Sequence, residues 1–173
     1  AFPTRRSSDI QEQIEVVVQS QYMTEQEREE FLKKFEQERA HSMIGFCVMG
    51  GVFSEGIDLT EDKLIGAMII GTGLPQVCLE RELLKYYFDR KNLNGFDYAY
   101  LYPGMNKVLQ SAGRVIRTDQ DRGVITLLDD RFMDRQCQEV FPREWNDFQI
   151  CNSENIEEKI AKFWKAEEQT DTK

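Results

Sequence analysis

Gln110-Ser111-Ala112-Gly113-Arg114-Val115-Ile116-Arg117 is the stretch from which the rest of this sequence is best interpreted. Its spacing predicts one helix with Arg114 and Arg117 on a shared face and Gln110 one turn before Arg114. Two guanidinium groups placed in this way can contact a polyphosphate whose negative charge grows in a transition state. A solvated helix with incidental charge explains the two arginines alone equally well, so the flanking sequence carries the interpretation.

A glycine-rich stretch earlier in the chain follows a short apolar run and reads Gly50-Gly51-Val52-Phe53-Ser54-Glu55-Gly56-Ile57-Asp58-Leu59. Its glycines permit positive φ and the close approach of a phosphate backbone to the main chain. Ser54 can donate a hydrogen bond to a phosphate, whereas Glu55 and Asp58 can accept from hydroxyls, water or an arginine. Taken alone, a turn with a helix cap is the simpler interpretation of this stretch.

Short apolar runs alternate with amphipathic segments along most of the chain. Thr24 and Glu27 have the spacing of a capping box, which predicts the start of a helix. Strands that alternate with helices through short loops predict an α/β fold with a mostly parallel sheet covered on both faces. The predicted strands are Ile14 to Val18, Ser42 to Met49, Leu64 to Ile70 and Val124 to Leu128. The predicted helices are Thr24 to Arg39, Leu79 to Lys91, Pro103 through Arg117, Arg131 to Glu139 and Ile156 to Trp164.

The composition is that of a soluble globular domain, with 173 residues, 40% of them hydrophobic and 31% charged. A net charge of −9 argues against a broad basic face but not against a narrow basic site. Residues 101–123 contain four cationic residues and two acidic ones, Asp119 and Asp121. Most acidic residues of the chain lie elsewhere. The four cysteines lack paired spacing, so no metal site is predicted, and a reducing cytoplasm is the expected location.

The opening stretch leads into a third block, Gly123-Val124-Ile125-Thr126-Leu127-Leu128-Asp129-Asp130-Arg131-Phe132. The three blocks, in this order, resemble motif V, motif VI and the strand after motif VI in the second motor domain of DinG/XPD-type superfamily 2 DNA helicases. The resemblance covers roughly residues 11–150 and implies a RecA-like three-layer αβα domain. The family's usual opening strand and helix have no counterpart before Gln11. We expect a bacterial member, with a non-native or disordered tail at 1–10, the domain at 11–168 and a frayed tail at 169–173.

The resemblance assigns catalytic roles to three residues of the motif VI block. Arg117 is implied to be the finger on the γ-phosphate of ATP, and Arg114 a second phosphate contact. Gln110 is implied to sense the nucleotide or its coupling to the motor. An arginine finger contributes about 10³ to 10⁵ in rate, and lysine replaces it poorly because the planar guanidinium bridges two oxygens.

The motif V loop and a second loop are implied to contact nucleotide and DNA. In the motif V loop, Glu55, Gly56 and Asp58 are placed on the nucleotide side, and Ser54 on a DNA phosphate. Thr72 follows a predicted strand, at the carboxyl edge of the sheet where ligands collect in α/β folds. It is therefore a candidate DNA phosphate contact, although a plain strand-exit turn explains it equally well.

The sequence contains neither a G-x-x-x-x-G-K-[ST] loop nor an Asp-Glu-Ala-His box. In relatives both belong to the first motor domain, so the resemblance implies that an N-terminal P-loop domain of the same protein binds most of the ATP and Mg²⁺. An iron–sulfur cluster is expected in that other domain only. The implied activity is an ATP-dependent DNA helicase that moves on single-stranded DNA, 5′ to 3′, and unwinds duplexes, with this chain inactive alone.

Other interpretations stay open on the sequence. A domain derived from such a motor can act as a catalytically inert module that binds nucleic acid or protein. A nuclease-linked relative is a further class, although no clustered acidic metal site supports it. The aromatic-rich stretch from Tyr86 to Tyr102 is either a stacking surface for bases or, as is more usual, part of the core.

Overall fold

Parallel strand pairs form the framework of the residues that the computed structural model describes, which are 14–51, 63–118 and 121–165. β1 (Glu15–Val18) pairs with β2 (Met43–Phe46) in one two-stranded sheet. β3 (Gly66–Ile70) pairs with β4 (Val124–Leu128) in another. All four predicted strands are present, and the predicted α/β class with parallel pairing is confirmed. The chain divides into two compact units, residues 1–131 and 132–173.

The crossover between β1 and β2 is α1 (Glu25–Glu36), which begins at the predicted capping box. The Thr24 hydroxyl oxygen accepts from the Glu27 amide at 3.3 Å, and the Glu27 carboxylate accepts from the Thr24 amide at 2.7 Å. Two of the amides that a helix start leaves unpaired are thereby satisfied. This prediction is confirmed.

One face of the β1–β2 pair packs against α1. Val17 and Phe31 are buried together, and Phe35 lies over Gly45, where a Cβ would come within 2.6 Å of the ring. Because successive strand residues point to opposite faces, the other face carries a second apolar set with exposed fractions of 46–64%. That set is Val16, Val18, Ile44 and Phe46.

The β3–β4 connection contains α2 (Leu79–Asp89), a π-helix at Asp97–Leu101 and α3 (Tyr102–Ala112). The turn after α2 is closed by Asn92, at φ 58°, and by Asp89, whose carboxylate accepts from the Gly95 amide at 2.8 Å. The Phe88 and Tyr98 rings stack at 4.1 Å between centroids. The aromatic-rich stretch therefore forms packing contacts between α2 and the π-helix, although other rings in it are exposed.

The predicted continuation of the motif VI helix through Arg117 is wrong. α3 ends at Ala112, with Gly113 as its C-cap, and Arg114 lies in the following turn. Glycine costs about 1 kcal/mol in a helix interior relative to alanine, and the β-branched residues Val115 and Ile116 also disfavour helix there. Arg114 and Arg117 therefore do not share a helical face.

The second unit is built from short helices. α4 (Arg135–Gln138) follows a 3₁₀ turn at Asp130–Met133, so the single helix predicted from Arg131 to Glu139 is interrupted. The predicted terminal helix is confirmed as α5 (Ile156–Lys165). In the described ranges, none of the helices combines the length and apolar character needed to cross a membrane.

Candidate functional site

Glycines with positive φ shape the loops that leave β2 and β3 at their carboxyl ends. Gly50, after β2, has φ 74°, and Gly71 and Gly73, after β3, have φ 85° and 65°. Side-chain-bearing residues rarely adopt this conformation, so glycine is required for these turns. The carboxyl edge of parallel strands is also where α/β proteins bind ligands.

The start of α3 packs directly on these loops. A Cβ on Gly104 would lie 2.6 Å from the Thr72 carbonyl oxygen, and a Cβ on Gly73 would lie 2.9 Å from the Gly104 carbonyl oxygen. The same Cβ on Gly73 would lie 3.3 Å from the Met49 methyl carbon. The loops after β2 and β3 and the first turn of α3 are thus packed so closely that two glycines have no room for a methyl group.

Thr72, predicted to contact a DNA phosphate, is 1% exposed. Among the described residues its hydroxyl oxygen has no hydrogen-bond partner. An unpaired buried hydroxyl costs about 1–3 kcal/mol, so this loop holds a polar group that a rearrangement would satisfy. In the arrangement seen here the hydroxyl reaches a ligand only if the loop moves.

The three residues predicted to be catalytic lie in successive but different local structures. Gln110 is exposed in the last turn of α3, Arg114 is half-buried in the turn that follows, and Arg117 is half-buried in an irregular segment before β4. Val115 lies between the two arginines, is 3% exposed, and contacts Gly123 so closely that a Cβ there would clash. The segment is therefore anchored to the start of β4 rather than continuing the helix.

A carboxylate that sequence reasoning missed holds the backbone at Arg117. Asp121 accepts hydrogen bonds from the amides of Arg117 and Thr118, each at 2.8 Å. The Thr118 hydroxyl in turn accepts from the Asp121 amide at 3.2 Å. The signal was present, because threonine and aspartate three residues apart are typical of side-chain-capped turns. This turn was missed because the spacing predicts a helix that continues through Arg117.

An ion pair lies at the end of β4. Arg131 donates to both carboxylate oxygens of Asp129, at 2.8 and 2.7 Å. Together with the Arg131 amide, this guanidinium lowers the pKa of Asp129 to about 2. Gly71 lies close by, since a Cβ there would be 3.9 Å from the carboxylate. The carboxyl edge of β3 and β4 thus carries a charged pair in which the acid is already occupied.

Other predicted site residues lie outside the residues that the structure describes. These are Ser54, Glu55, Gly56 and Asp58. Within ranges 14–51, 63–118 and 121–165, no group of three or more His, Cys, Asp or Glu residues is placed to hold a metal ion.

Comparison with known proteins gives a consistent family. The model of the helicase C-terminal domain matches residues 4–148. The regulator of telomere elongation helicase 1 homolog of Caenorhabditis briggsae is 32% identical over 136 residues, which are 72% of this chain and 14% of that protein. The ATP-dependent DNA helicase DinG of Photobacterium profundum is 36% identical over 88 residues, which are 50% of this chain and 13% of that protein.

An archaeal protein matches at lower identity. The probable ATP-dependent helicase of Methanocaldococcus jannaschii is 28% identical over 106 residues, which are 56% of this chain and 16% of that protein. The chain thus spans about one-seventh of the length of these relatives.

Proposed function

The chain belongs to the helicase C-terminal domain family, and on that premise we propose that it is the second motor domain of an ATP-dependent DNA helicase. The family's fold is RecA-like, in agreement with the parallel strand pairs and their crossover helices. The whole protein couples ATP hydrolysis to movement on single-stranded DNA, 5′ to 3′, and to duplex unwinding. Domain bounds of 11–168 and a cytoplasmic location are part of the same proposal.

ATP is bound mainly by a P-loop domain of the same protein, which this chain faces. Mg²⁺ supplies charge neutralisation at the phosphates from that domain. Arg117 stabilises the charge that develops on the γ-phosphoryl group, Arg114 makes a second phosphate contact, and Gln110 senses the nucleotide. A finger of this kind contributes about 10³ to 10⁵ in rate, or about 4–7 kcal/mol. The chain alone is inactive because the ATP on which the finger acts is bound by the other domain.

One observation carries this proposal, namely that Arg117 sits on backbone held by a carboxylate. Both the Arg117 and Thr118 amides donate to Asp121, and Val115 buries the preceding segment against β4. A donor that is fixed before the reaction begins pays no reorganisation when charge develops. An incidental surface arginine has no need of such anchoring, so the arrangement favours a positioned guanidinium.

The loops around the site supply the remaining contacts of the proposal. Glu55, Gly56 and Asp58 contact the nucleotide, and Ser54 contacts a DNA phosphate. Thr72 contacts DNA once its loop opens, which would give its buried hydroxyl a partner. Closure of the two motor domains around ATP brings the arginines to the phosphates, and hydrolysis lets the domains separate, which moves the strand.

The test is ATP hydrolysis by the full-length protein that contains this chain, with and without single-stranded DNA, in wild type and Arg117→Ala. We expect a DNA-stimulated rate that falls at least about a hundredfold in the variant while ATP binding is retained. Arg143→Ala is the matched control, because Arg143 is an exposed arginine on a 3₁₀ turn of the second unit.

Arg117→Ala with the wild-type rate would remove the finger mechanism. A full-length protein without any ATPase, but with salt-dependent affinity for single strands, would instead identify the chain as an inert binding module.

A further inference from the structure

Lys107 lies with its side chain on the turn after β2. A Cβ on Gly50 would come within 2.9 Å of the Lys107 Cδ atom and 3.1 Å of its Cε atom. Gly50 has φ 74°, so this turn both requires glycine and leaves the space that the lysine stem fills. A residue of α3 is therefore seated on a loop from a distant part of the chain.

The Lys107 ammonium has no hydrogen bond or ion pair within the part of the chain that the structure describes. Arg39, which is also half-buried, pairs with Glu15, whereas half-buried Lys85 on α2 likewise has no such partner among the described residues. Lys107 is itself half-buried: its stem packs on Gly50, and no described residue neutralises its charge. A half-buried, unpaired cation fits an anion that binds from outside.

The segments that meet around Lys107 contain no acidic residue. Residues 43–51, 66–78 and 102–118 have neither Asp nor Glu, in a chain with 31 acidic residues and a net charge of −9. Lys107 is the cation that these segments place beside Gly50, whereas Arg114 and Arg117 follow the far end of α3, where Val115 contacts Gly123 before β4. Acidic residues resume at Glu55, outside the described residues. Asp129, which follows β4 near Gly71, is already paired with Arg131, so the charge of Lys107 is left to attract a phosphate on a strongly negative protein.

The ammonium is also held on rigid elements. Gly104, one turn before Lys107 on α3, is locked against the Thr72 carbonyl, and Gly73 is locked against Met49. Because its stem is fixed in this way, the Lys107 ammonium is held in one position. The arrangement matches a phosphate contact better than it matches a general surface charge.

We propose that Lys107 binds a phosphate group through its ammonium at the turn after β2. The inference rests on the proposed function, because the phosphate belongs either to the single strand or to the nucleotide. Lysine suits this role as a compact point charge, whereas an arginine binds phosphate in a bidentate manner. The position lies outside the residues implied by the motif VI resemblance.

The experiment compares Lys107→Met with wild type in the full-length protein, since methionine keeps an unbranched apolar stem and removes the charge. Affinity for an oligothymidylate is measured without nucleotide over a series of salt concentrations, and the KM for ATP is measured separately. Lys33→Met is the matched control, because Lys33 is an exposed lysine on α1. Lys107→Arg restores a cation and is expected to recover the lost binding.

A strand phosphate predicts at least threefold weaker oligothymidylate binding in Lys107→Met, a salt slope smaller by about 0.7, and an unchanged KM for ATP. A nucleotide phosphate predicts at least a threefold higher KM with unchanged strand binding. Either result supports the proposal and identifies the source.

The proposal is overturned if Lys107→Met matches Lys33→Met in both measurements. Should Lys107→Met melt at a lower temperature than wild type, Lys107→Gln repeats the comparison, and wild-type behaviour there overturns the proposal equally. Strand binding without nucleotide does not depend on hydrolysis, so a failure of the Arg117 test leaves this result interpretable.

Discussion

At the scale of single residues, the arginine proposed as the finger is positioned by its backbone rather than by a helix. Asp121 binds two consecutive amides at 2.8 Å, which fixes the chain direction at Arg117. Asp121 is therefore a positioning residue, because it acts through the arginine and not on the nucleotide. Replacing Asp121 should therefore affect hydrolysis by moving Arg117, without removing a contact to the nucleotide.

Asp121→Ala is expected to lower the kcat of the DNA-stimulated ATPase about tenfold to a hundredfold, because a displacement of about 1 Å can cost that much. The KM for ATP should change less than kcat, since in the proposed mechanism a P-loop domain makes most of the ground-state contacts. Steady-state kinetics of the full-length protein measure both constants.

Asp121→Asn is the control for this variant, because its side-chain oxygen still accepts from both amides. It should retain most of the activity. A purely structural role would lower kcat and the melting temperature together in Asp121→Ala, and that pattern would contradict positioning.

At the scale of secondary structure, α3 is fixed at both ends by glycine, for different reasons. Gly104 allows the helix to approach the loop after β3, and Gly113 ends the helix before Arg114. The role of Gly104 depends on the space that its missing side chain leaves, and the role of Gly113 on the low helix propensity of glycine. The lengths and positions of this one helix therefore determine where Lys107, Gln110 and Arg114 lie.

Gly104→Ala separates space from propensity. Alanine is favoured over glycine by about 1 kcal/mol within a helix, but its Cβ would lie 2.6 Å from the Thr72 carbonyl oxygen. Because backbone cannot yield as a flexible side chain does, we expect the steric term to win, with a net destabilisation of about 1–3 kcal/mol. Urea denaturation of the 173-residue chain measures it.

Asn106→Ala is the matched control on the same helix, because Asn106 is exposed and alanine has the higher helix propensity. It should be neutral or slightly stabilising. If Gly104→Ala were as stable as Asn106→Ala, the close approach of α3 to the Thr72 loop would be incorrect.

At the scale of the whole molecule, the first unit exposes apolar residues on its sheets. Val18 and Phe46, paired across β1 and β2, are 64% and 55% exposed, and Met68 and Ile70 on β3 are 64% and 69% exposed. Contiguous apolar surface of this kind marks a site of association in soluble proteins. The chain on its own is therefore expected to self-associate.

Sedimentation velocity over a range of concentrations tests this expectation. The double variant Val18→Thr, Phe46→Thr should shift the chain towards monomer, because threonine is itself favoured in strands and reduces the exposed apolar area. Tyr22→Thr is the control, since Tyr22 is 86% exposed but lies outside the strands. A chain that is monomeric at every concentration would contradict the expectation.

The sequence determined the elements of this protein through signals that are local. Apolar runs located β1 to β4, and Thr24 with Glu27 located the start of α1, because periodicity and capping depend only on residues near one another in the chain. The motif order likewise indicated the family, which the match over residues 4–148 confirmed. The roles predicted for individual site residues stay predictions.

The tertiary structure alone decided what surrounds the predicted site. The buried Thr72 hydroxyl and the contact of Lys107 with Gly50 both depend on packing between segments far apart in sequence. A one-dimensional pattern records which residues are apolar or charged, but it does not record which loops close against each other. The physical reason is that these close contacts exist only after the loops that follow β2 and β3 meet α3.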